Sequence, residues 1–479
     1  MPRTTLVPRW RRGLPALLLL AALPQISLPQ TAASAAAAET ALDRYVRKPD
    51  PTYKYELVRT LPGSGFTTYI LDLTSQTWRT PAEVDRTVWK HWLTIVKPDE
   101  VTNPTGYLFL TGGSVTAAAP ANAGATFVQI ALNTHTVTAE LRGIPNEPLQ
   151  FAGESTKRNE DGIIAYTWKQ FLTTGDETWP LRLPMTKAAV RAMDTITAFM
   201  GASERGGVKV DRFVVSGGSK RGWTTWTTAA VDKRVAAIVP ASIDTLNLQE
   251  NFKHHWKVYG FWSPSVKDYD DIGLMDWMDT REYNQLMAIE DPYSYRDRLT
   301  MPKYLVQAAG DQYFLPDSSR YYFDGLKGEK YLRYIPNADH GLRNTDAEQS
   351  LASFYESVVK GTPRPQFTWS FEKNGDIKVT SKDKPIAVKV WQATNPEHRD
   401  FRLETLGPQY KSSDLEDRGG TWVAHVAAPE KGWTAFFVEV TYPGPGKYPL
   451  KFTSGVRITP DTEPFPAYVA KPHPAPHWK

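Results

Sequence analysis

The stretch Phe213-Val-Val-Ser-Gly-Gly-Ser-Lys-Arg-Gly222 decides how this chain is read, because a buried-strand pattern runs through two glycines and a serine straight into a helical pattern. A serine on so tight a turn needs small neighbours, which Gly217, Gly218 and Gly222 supply. The helix that follows aims its first backbone N–H groups, and the positive end of its dipole, at negative charge developing beside the serine. The spacing departs from Gly-x-Ser-x-Gly, since Arg221 stands at the second glycine position and the next glycine arrives at 222. A glycine-rich turn with a phosphate-binding or purely structural role is the competing reading, but Gly-Lys-Ser/Thr is absent and a P-loop is disfavoured.

Strands and helices alternate outward from this turn. Residues 106–113 and 125–132 read as buried strands, 67–77 and 88–96 as half-buried ones, and 184–202 as a helix with one apolar stripe. Beyond the turn the pattern gives a helix at 221–231, strands at 235–240 and 303–309, a helix at 318–326, a strand at 330–335 and a helix at 346–360. Such alternation implies a doubly wound, mostly parallel sheet, and with the serine turn it predicts an α/β-hydrolase domain over residues 39–361. Residues 245–298 interrupt the rhythm with an aromatic, partly helical insertion, expected to cap the sheet edge. Regular short strands between 367 and 452 predict a small β-sandwich over 362–459, and the Pro-rich tail 460–479 is expected to be extended or disordered.

In α/β-hydrolases the triad runs Ser, acid, His, each near a strand end. The strand at 303–309 leads into Gly310-Asp311, and that at 330–335 into Asp339-His340-Gly341. Of the nine histidines, His91 and His135 precede the serine, His254 and His255 belong to the insertion, and His398, His425, His473 and His477 lie in the sandwich and tail. His340 is therefore the candidate base. Asp311 is favoured over Asp317 as the acid, because Asp317 follows a proline and is placed to cap the next helix. The backbone N–H of Lys220 and the region of Gly113 are the expected oxyanion donors. Arg221, Trp223 and His255 are candidate substrate contacts, against the alternatives of ion pairing for Arg221 and core packing for the aromatic residues.

Arg3, Arg9, Arg11 and Arg12 precede any acidic residue and supply the whole formal net charge of +4, so the remainder is neutral and nucleic-acid binding has no electrostatic support. These arginines, an apolar run at 14–23 and small residues up to Ala38 have the layout of a cleaved secretory signal at 1–38. The apolar run is about half the ~20 residues of a spanning helix, so no membrane span is expected after cleavage, and the product is expected in the periplasm or outside the cell. Arg11-Arg12 leaves the general or twin-arginine route open. The chain has no cysteine, which excludes disulfides, thiolate zinc sites and cysteine nucleophiles; no metal or cofactor is expected.

Several separate segments match a known family: Thr40-Ala-Leu-Asp-Arg-Tyr-Val46, Tyr53-Lys-Tyr-Glu-Leu57, Ser219-Lys-Arg-Gly-Trp-Thr-Thr-Trp226, Leu315-Pro-Asp-Ser-Ser319 and Gly328-Glu-Lys-Tyr-Leu-Arg-Tyr334. The chain resembles the PhoPQ-activated pathogenicity-related proteins over nearly its whole length after the signal. That resemblance implies export, an α/β-hydrolase fold distantly related to esterases and to prolyl-oligopeptidase-type peptidases, and an association with envelope stress and resistance to cationic antimicrobial peptides. It carries the triad onto Ser219, Asp311 and His340. Regulation is not an activity and a shared fold does not fix function. Two classes are therefore expected: an exported serine hydrolase cleaving an ester or a peptide bond, or a non-catalytic secreted binding or signalling protein on the same fold.

Overall fold

The computed structural model describes residues 1–8, 39–476 and 478. Most of the expected export signal, residues 9–38, lies outside the described residues. The chain divides into two units, Met1–Glu39 and Thr40–Lys479.

An antiparallel meander opens the second unit: β1 (Lys54–Pro62), β2 (Phe66–Thr77) and β3 (Val88–Pro98). Six mutually parallel strands follow, β4 (Thr105–Leu110), β5 (Thr138–Leu141), β6 (Arg212–Gly218), β7 (Val235–Ala241), β8 (Lys303–Ala308) and β9 (Lys330–Ile335), in the spatial order β1-β2-β3-β5-β4-β6-β7-β8-β9. Continuous apolar runs such as Phe213-Val-Val in β6 are buried because helices cover both faces of the sheet. Alternate residues then serve opposite cores: Leu108 and Val215 pack with one set of helices, Tyr107 and Val214 with the other.

Before the meander comes α1 (Ala41–Arg47); α2 (Ala125–Thr134), α3 (Glu160–Thr174), α4 (Arg182–Gly201) and α5 (Lys220–Val231) follow. Residues 125–132 thus form a helix rather than the expected strand, and the strand is the four-residue β5 just beyond it. A short apolar run fits a buried strand or a buried helix face equally well. Here His135, in the left-handed conformation at φ 51°, ends the helix and frees the next residues to pair.

Between β7 and β8 the chain forms α6 (Leu248–Tyr259), α7 (Lys267–Asp271) and α8 (Arg281–Glu290), the capping insertion. The helix expected at 318–326 is only a 3-10 turn, Ser318–Tyr321. After β9 come α9 (Ala347–Val359) and then β10 (Phe367–Phe371), β11 (Ile377–Ser381), β12 (Ala387–Asn395), β13 (Lys411–Asp414), β14 (Thr421–Ala424), β15 (Trp433–Tyr442), β16 (Leu450–Thr453) and β17 (Arg457–Thr459).

The C-terminal strands form two facing antiparallel layers. β10, β11 and β14 make a separate sheet, and Ile377, Val379 and Trp422 from it share a core with Val388, Val390, Phe436 and Val438 of β12 and β15. The second layer is not detached from the central sheet. β16 pairs with β9 through Thr453 and Leu332, and the Tyr334 N–H donates to Thr453 Oγ1 at 3.0 Å, so the central sheet runs on through β16, β15, β12 and β13. A buried Arg333 clamps the junction, bonded to Glu439 at 2.5 Å and to Asp346 at 2.9 Å.

The described residues of the tail form no helix or strand, and the tail is tied to the cap. Glu463 bonds His254 and Lys257, the Phe465 N–H donates to the Lys257 carbonyl at 3.0 Å, and the Tyr468 hydroxyl donates to Asp276 at 2.6 Å. Among the described residues, no helix is long and apolar enough to cross a membrane.

Candidate active site

Ser219 stands between β6 and α5 with φ 58° and ψ −127°, a backbone state that costs a non-glycine residue about 1–3 kcal/mol and persists only where the surroundings impose it. Two glycines make the turn possible. A Cβ on Gly217 would lie 2.8 Å from the Arg221 carbonyl oxygen, and one on Gly222 2.8 Å from that of Ala241 and 2.9 Å from that of Gly217. Gly218 has open space beside it. The departure at Arg221 is therefore accommodated: close approach is made by Gly217 and Gly222, and the Arg221 guanidinium is drawn to Glu160.

His340 follows β9, and its Nε2 lies 2.8 Å from Ser219 Oγ. Its Nδ1 lies 2.8 and 3.1 Å from the two carboxylate oxygens of Asp311, which follows β8. Asp311 is buried and also accepts the Tyr313 N–H at 2.7 Å. The His340 backbone is held on both sides, its N–H donating to Gln312 Oε1 at 3.0 Å and its carbonyl accepting from Ser242 Oγ at 2.8 Å. The Tyr313 ring packs against the imidazole with 4.4 Å between centroids. Three strand ends thus bring together side chains 121 and 29 residues apart in sequence in one hydrogen-bonded line.

Asp317 goes elsewhere. It is buried against His254 Nε2 at 3.0 Å and Arg399 at 2.8 Å; burial opposes its charge, but those two cations hold its carboxyl well below the usual range. It joins the cap to the C-terminal layers.

Lys220 contributes the first backbone N–H of α5, one of the four in any helix without an intrahelical acceptor. Its ammonium is buried between Glu160 at 2.8 Å and Asp161 at 3.0 Å. Gly113, at φ 110°, belongs to the loop after β4, which is anchored where the Gly143 N–H meets the Gly112 carbonyl at 3.1 Å. Gly113 lines a cleft with Lys90, His91 and Arg142, whereas Ser219 lines two other cavities.

Of the expected substrate contacts, Trp223 walls a small cavity beside Ser219, its indole N–H donating to the Glu290 carbonyl at 2.5 Å. Arg221 lines a larger groove that Ser219 also reaches, but its guanidinium is bonded to both oxygens of Glu160, at 2.7 and 2.8 Å, and to the Ile144 carbonyl. It is an ion-paired brace instead of a free anion receptor. His255 lines neither cavity: it is buried, its Nε2 accepts the Ser263 N–H at 3.0 Å, and burial pushes its pKa down to about 3. Its neutral ring ties α6 to the following loop.

Helix α3 brings Glu160, Asp161, Ile164 and Trp168 to the site, none of which stands out as a catalytic candidate in the sequence. A helical signal was present: Asn159 ahead of Glu160-Asp161, then Ile163, Ile164, Thr167, Trp168, Phe171 and Leu172 at helical spacing. Although burial works against it, Arg221 and Lys220 hold the Glu160 carboxyl below its ordinary value, while burial and the Glu160 charge push Glu147 up.

The strand order, with β3 antiparallel beside β5 and Ser219, Asp311 and His340 following β6, β8 and β9, defines an α/β-hydrolase fold. The family model for PhoPQ-activated pathogenicity-related proteins matches residues 42–402, and the chain belongs to that family. It is 39% identical over 456 residues to autocrine proliferation repressor protein A of Dictyostelium discoideum, covering 89% of this chain and 92% of that one. Solved structures similar to it include an acetyl xylan esterase from Paenibacillus sp. R4, at TM-score 0.47 and 13% identity over 66% of this chain and 92% of that one. Another is the glucuronoyl esterase from Solibacter usitatus, at TM-score 0.37 and 16% identity over 67% and 90%.

Proposed function

We propose that this protein is an exported serine hydrolase that cleaves an ester or amide bond through an acyl-enzyme. The observation that carries the proposal is the line Asp311–His340–Ser219, closed at 2.8 Å at both contacts of the imidazole. His340 Nε2 takes the proton of Ser219 Oγ as it attacks the carbonyl carbon, and Asp311 holds the Nδ1–H tautomer and stabilises the imidazolium that forms. The Lys220 N–H, with an N–H from the loop at 111–114, meets the oxyanion. His340 then gives its proton to the leaving group, and water releases the acyl group by the same steps in reverse. Export rests on the N-terminal layout, and a place in envelope stress and antimicrobial-peptide resistance rests on the family.

The test is turnover of 4-nitrophenyl acetate and of aminoacyl-4-nitroanilides by the purified chain and by Ser219→Ala and His340→Ala. Loss of about 10⁴-fold or more in kcat for both variants is expected. Equal residual rates in wild type and Ser219→Ala would refute it.

A second reading, an exported signalling protein, is favoured by the name of the Dictyostelium relative, which describes an autocrine repressor of proliferation. Under that reading a Ser219→Ala protein keeps its effect on target cells; under the first it loses it.

A further inference from the structure

Ser219 lines two cavities that differ sharply in size and chemistry. One is a chamber of about 40 Å³ walled by Ile164, Trp168, Trp223, Leu248, Phe252 and Tyr269. The carboxylate that reaches it, Asp161, is already answered by the Lys220 ammonium at 3.0 Å and the Tyr269 hydroxyl at 2.9 Å. The other is a groove of about 840 Å³ between α2 and α9, where Gln129, Asn133, Arg343 and Asn344 present polar groups. His340 lines the groove and not the chamber.

The position of His340 orients a substrate. The imidazole that deprotonates the serine must next reach the leaving group with the same proton, so the leaving group lies on the His340 side, in the groove. The acyl part is left the chamber, which Ser219 lines and His340 does not. A single water occupies about 10–15 Å³ on this scale, so the chamber takes an acyl chain of about two to four carbons. Its walls come from α3, α5, cap helices α6 and α7 and the loops after β7 and β8, and rings such as Trp168, Trp223, Phe252 and Tyr313 stand among aliphatic and polar neighbours, so a longer chain meets packed side chains.

We infer that the substrate is a short-acyl ester of a bulky, polar alcohol, a proposal that rests on the serine-hydrolase reading above and narrows it. The Ser219 Oγ–carbonyl bond forms, the carbonyl–alkoxy bond breaks, and the alkoxide takes the proton from His340 Nε2 and leaves through the groove. Water then attacks the acyl-serine, gives one proton to His340, which returns it to Ser219, and the short-chain acid departs. The net reaction is ester plus water to acid plus alcohol.

The full chain is assayed on 4-nitrophenyl acetate, butyrate and octanoate and on a peracetylated disaccharide, and the same preparation is treated with a fluorophosphonate. The proposal expects kcat/KM to fall at least tenfold from acetate to octanoate. It expects Phe252→Ala and Leu248→Ala, which widen the chamber from the cap side, to raise the octanoate-to-acetate ratio about tenfold. Asn133→Trp, which fills the groove from an exposed position on α2, is expected to lower the disaccharide-to-4-nitrophenyl acetate ratio by a similar factor. Each ratio is internal to one protein, so partial unfolding of a variant does not mimic it. Octanoate turned over as well as acetate, ratios unmoved by the variants, or fluorophosphonate labelling with no ester turnover would overturn the inference while leaving an activated serine standing. No labelling and no turnover would overturn the hydrolase reading itself.

Discussion

The Arg221 guanidinium packs so closely on Gly112 that a Cβ there would lie 2.1 Å from its Nη2, while the same guanidinium bonds Glu160. A buried cation thus braces the loop after β4 against helix α3. Glu147 lies 3.7 Å from it as well.

Arg221→Gln removes that brace and leaves Glu147 and Glu160 facing each other. The expected result is a loss of kcat of roughly ten- to a hundredfold from a displaced loop, with KM changed far less. Gly112→Ala, which pushes the guanidinium without removing it, is expected to show the same split. Steady-state kinetics on 4-nitrophenyl acetate measure both, and unchanged kcat in the two variants would separate the loop from the chemistry.

Asp311 and Asp317 are six residues apart on one loop and have different partners, so their amide variants separate cleanly. Asp311→Asn reverses the tautomer of His340 and is expected to lower kcat by about 10⁴-fold with little change in melting temperature. Asp317→Asn leaves Arg399, 1% exposed, without its main counter-charge. The cost expected is about 3–5 kcal/mol of stability, with kcat of the folded fraction retained. Thermal melts and kinetics on the same samples would show the opposite pattern if Asp317 were the working acid.

In the sequence Asp311 directly follows a strand pattern, whereas Asp317 follows a proline and reads as a helix cap; in the fold the Asp317 side chain makes no cap hydrogen bond and turns instead to His254 and Arg399. The serine turn and most of the parallel strands read as continuous apolar runs bounded by glycine or proline, and the cap as an aromatic break in the strand–helix rhythm. What stayed hidden lacked a local signature. Thr138-Ala-Glu-Leu141 is too short and polar to read as a strand, yet it fills the gap between β3 and β4. The apolar run at 125–132 has no period that separates strand from helix. The joining of β16 to β9 depends on one long-range pair, Thr453 with Leu332. The partnering of Arg221 with Glu160 spans 61 residues and needs α3 to be placed first.

Asp244, after β7, is fully buried and receives hydrogen bonds from the hydroxyls of Tyr334, at 2.6 Å, and Tyr322. Burial, with the nearby charges of Asp311 and Asp317, pushes its carboxyl up to about 7 from 3.8. Between those two values the folded chain keeps a proton that the unfolded chain has released, so this group's contribution to stability falls as pH rises through the window and is level above it. Asp244→Asn cannot lose that proton. The melting temperature of the variant relative to wild type is therefore expected to rise from pH 4 to pH 8, and a constant difference would show that Asp244 is ionised throughout.

His255 works in the opposite sense. Burial, with the neighbouring His254 and Arg402 charges, depresses its pKa to about 3 from 6.5, so the stability it lends is complete above about 6.5 and is lost progressively as pH falls toward 3. His255→Gln is expected to flatten the acid side of the melting profile. An unchanged acid limb would show that the imidazole is protonated in the folded state.

Activation of Ser219 by His340 is the step on which the hydrolase reading stands, and covalent labelling tests it most directly. Treating the folded chain with a fluorophosphonate is expected to add one phosphonyl group, located by peptide mass on Ser219, with labelling abolished in Ser219→Ala and slowed at least a hundredfold in His340→Ala. A folded chain that takes up no phosphonyl group, or takes it up equally well without His340, would contradict it.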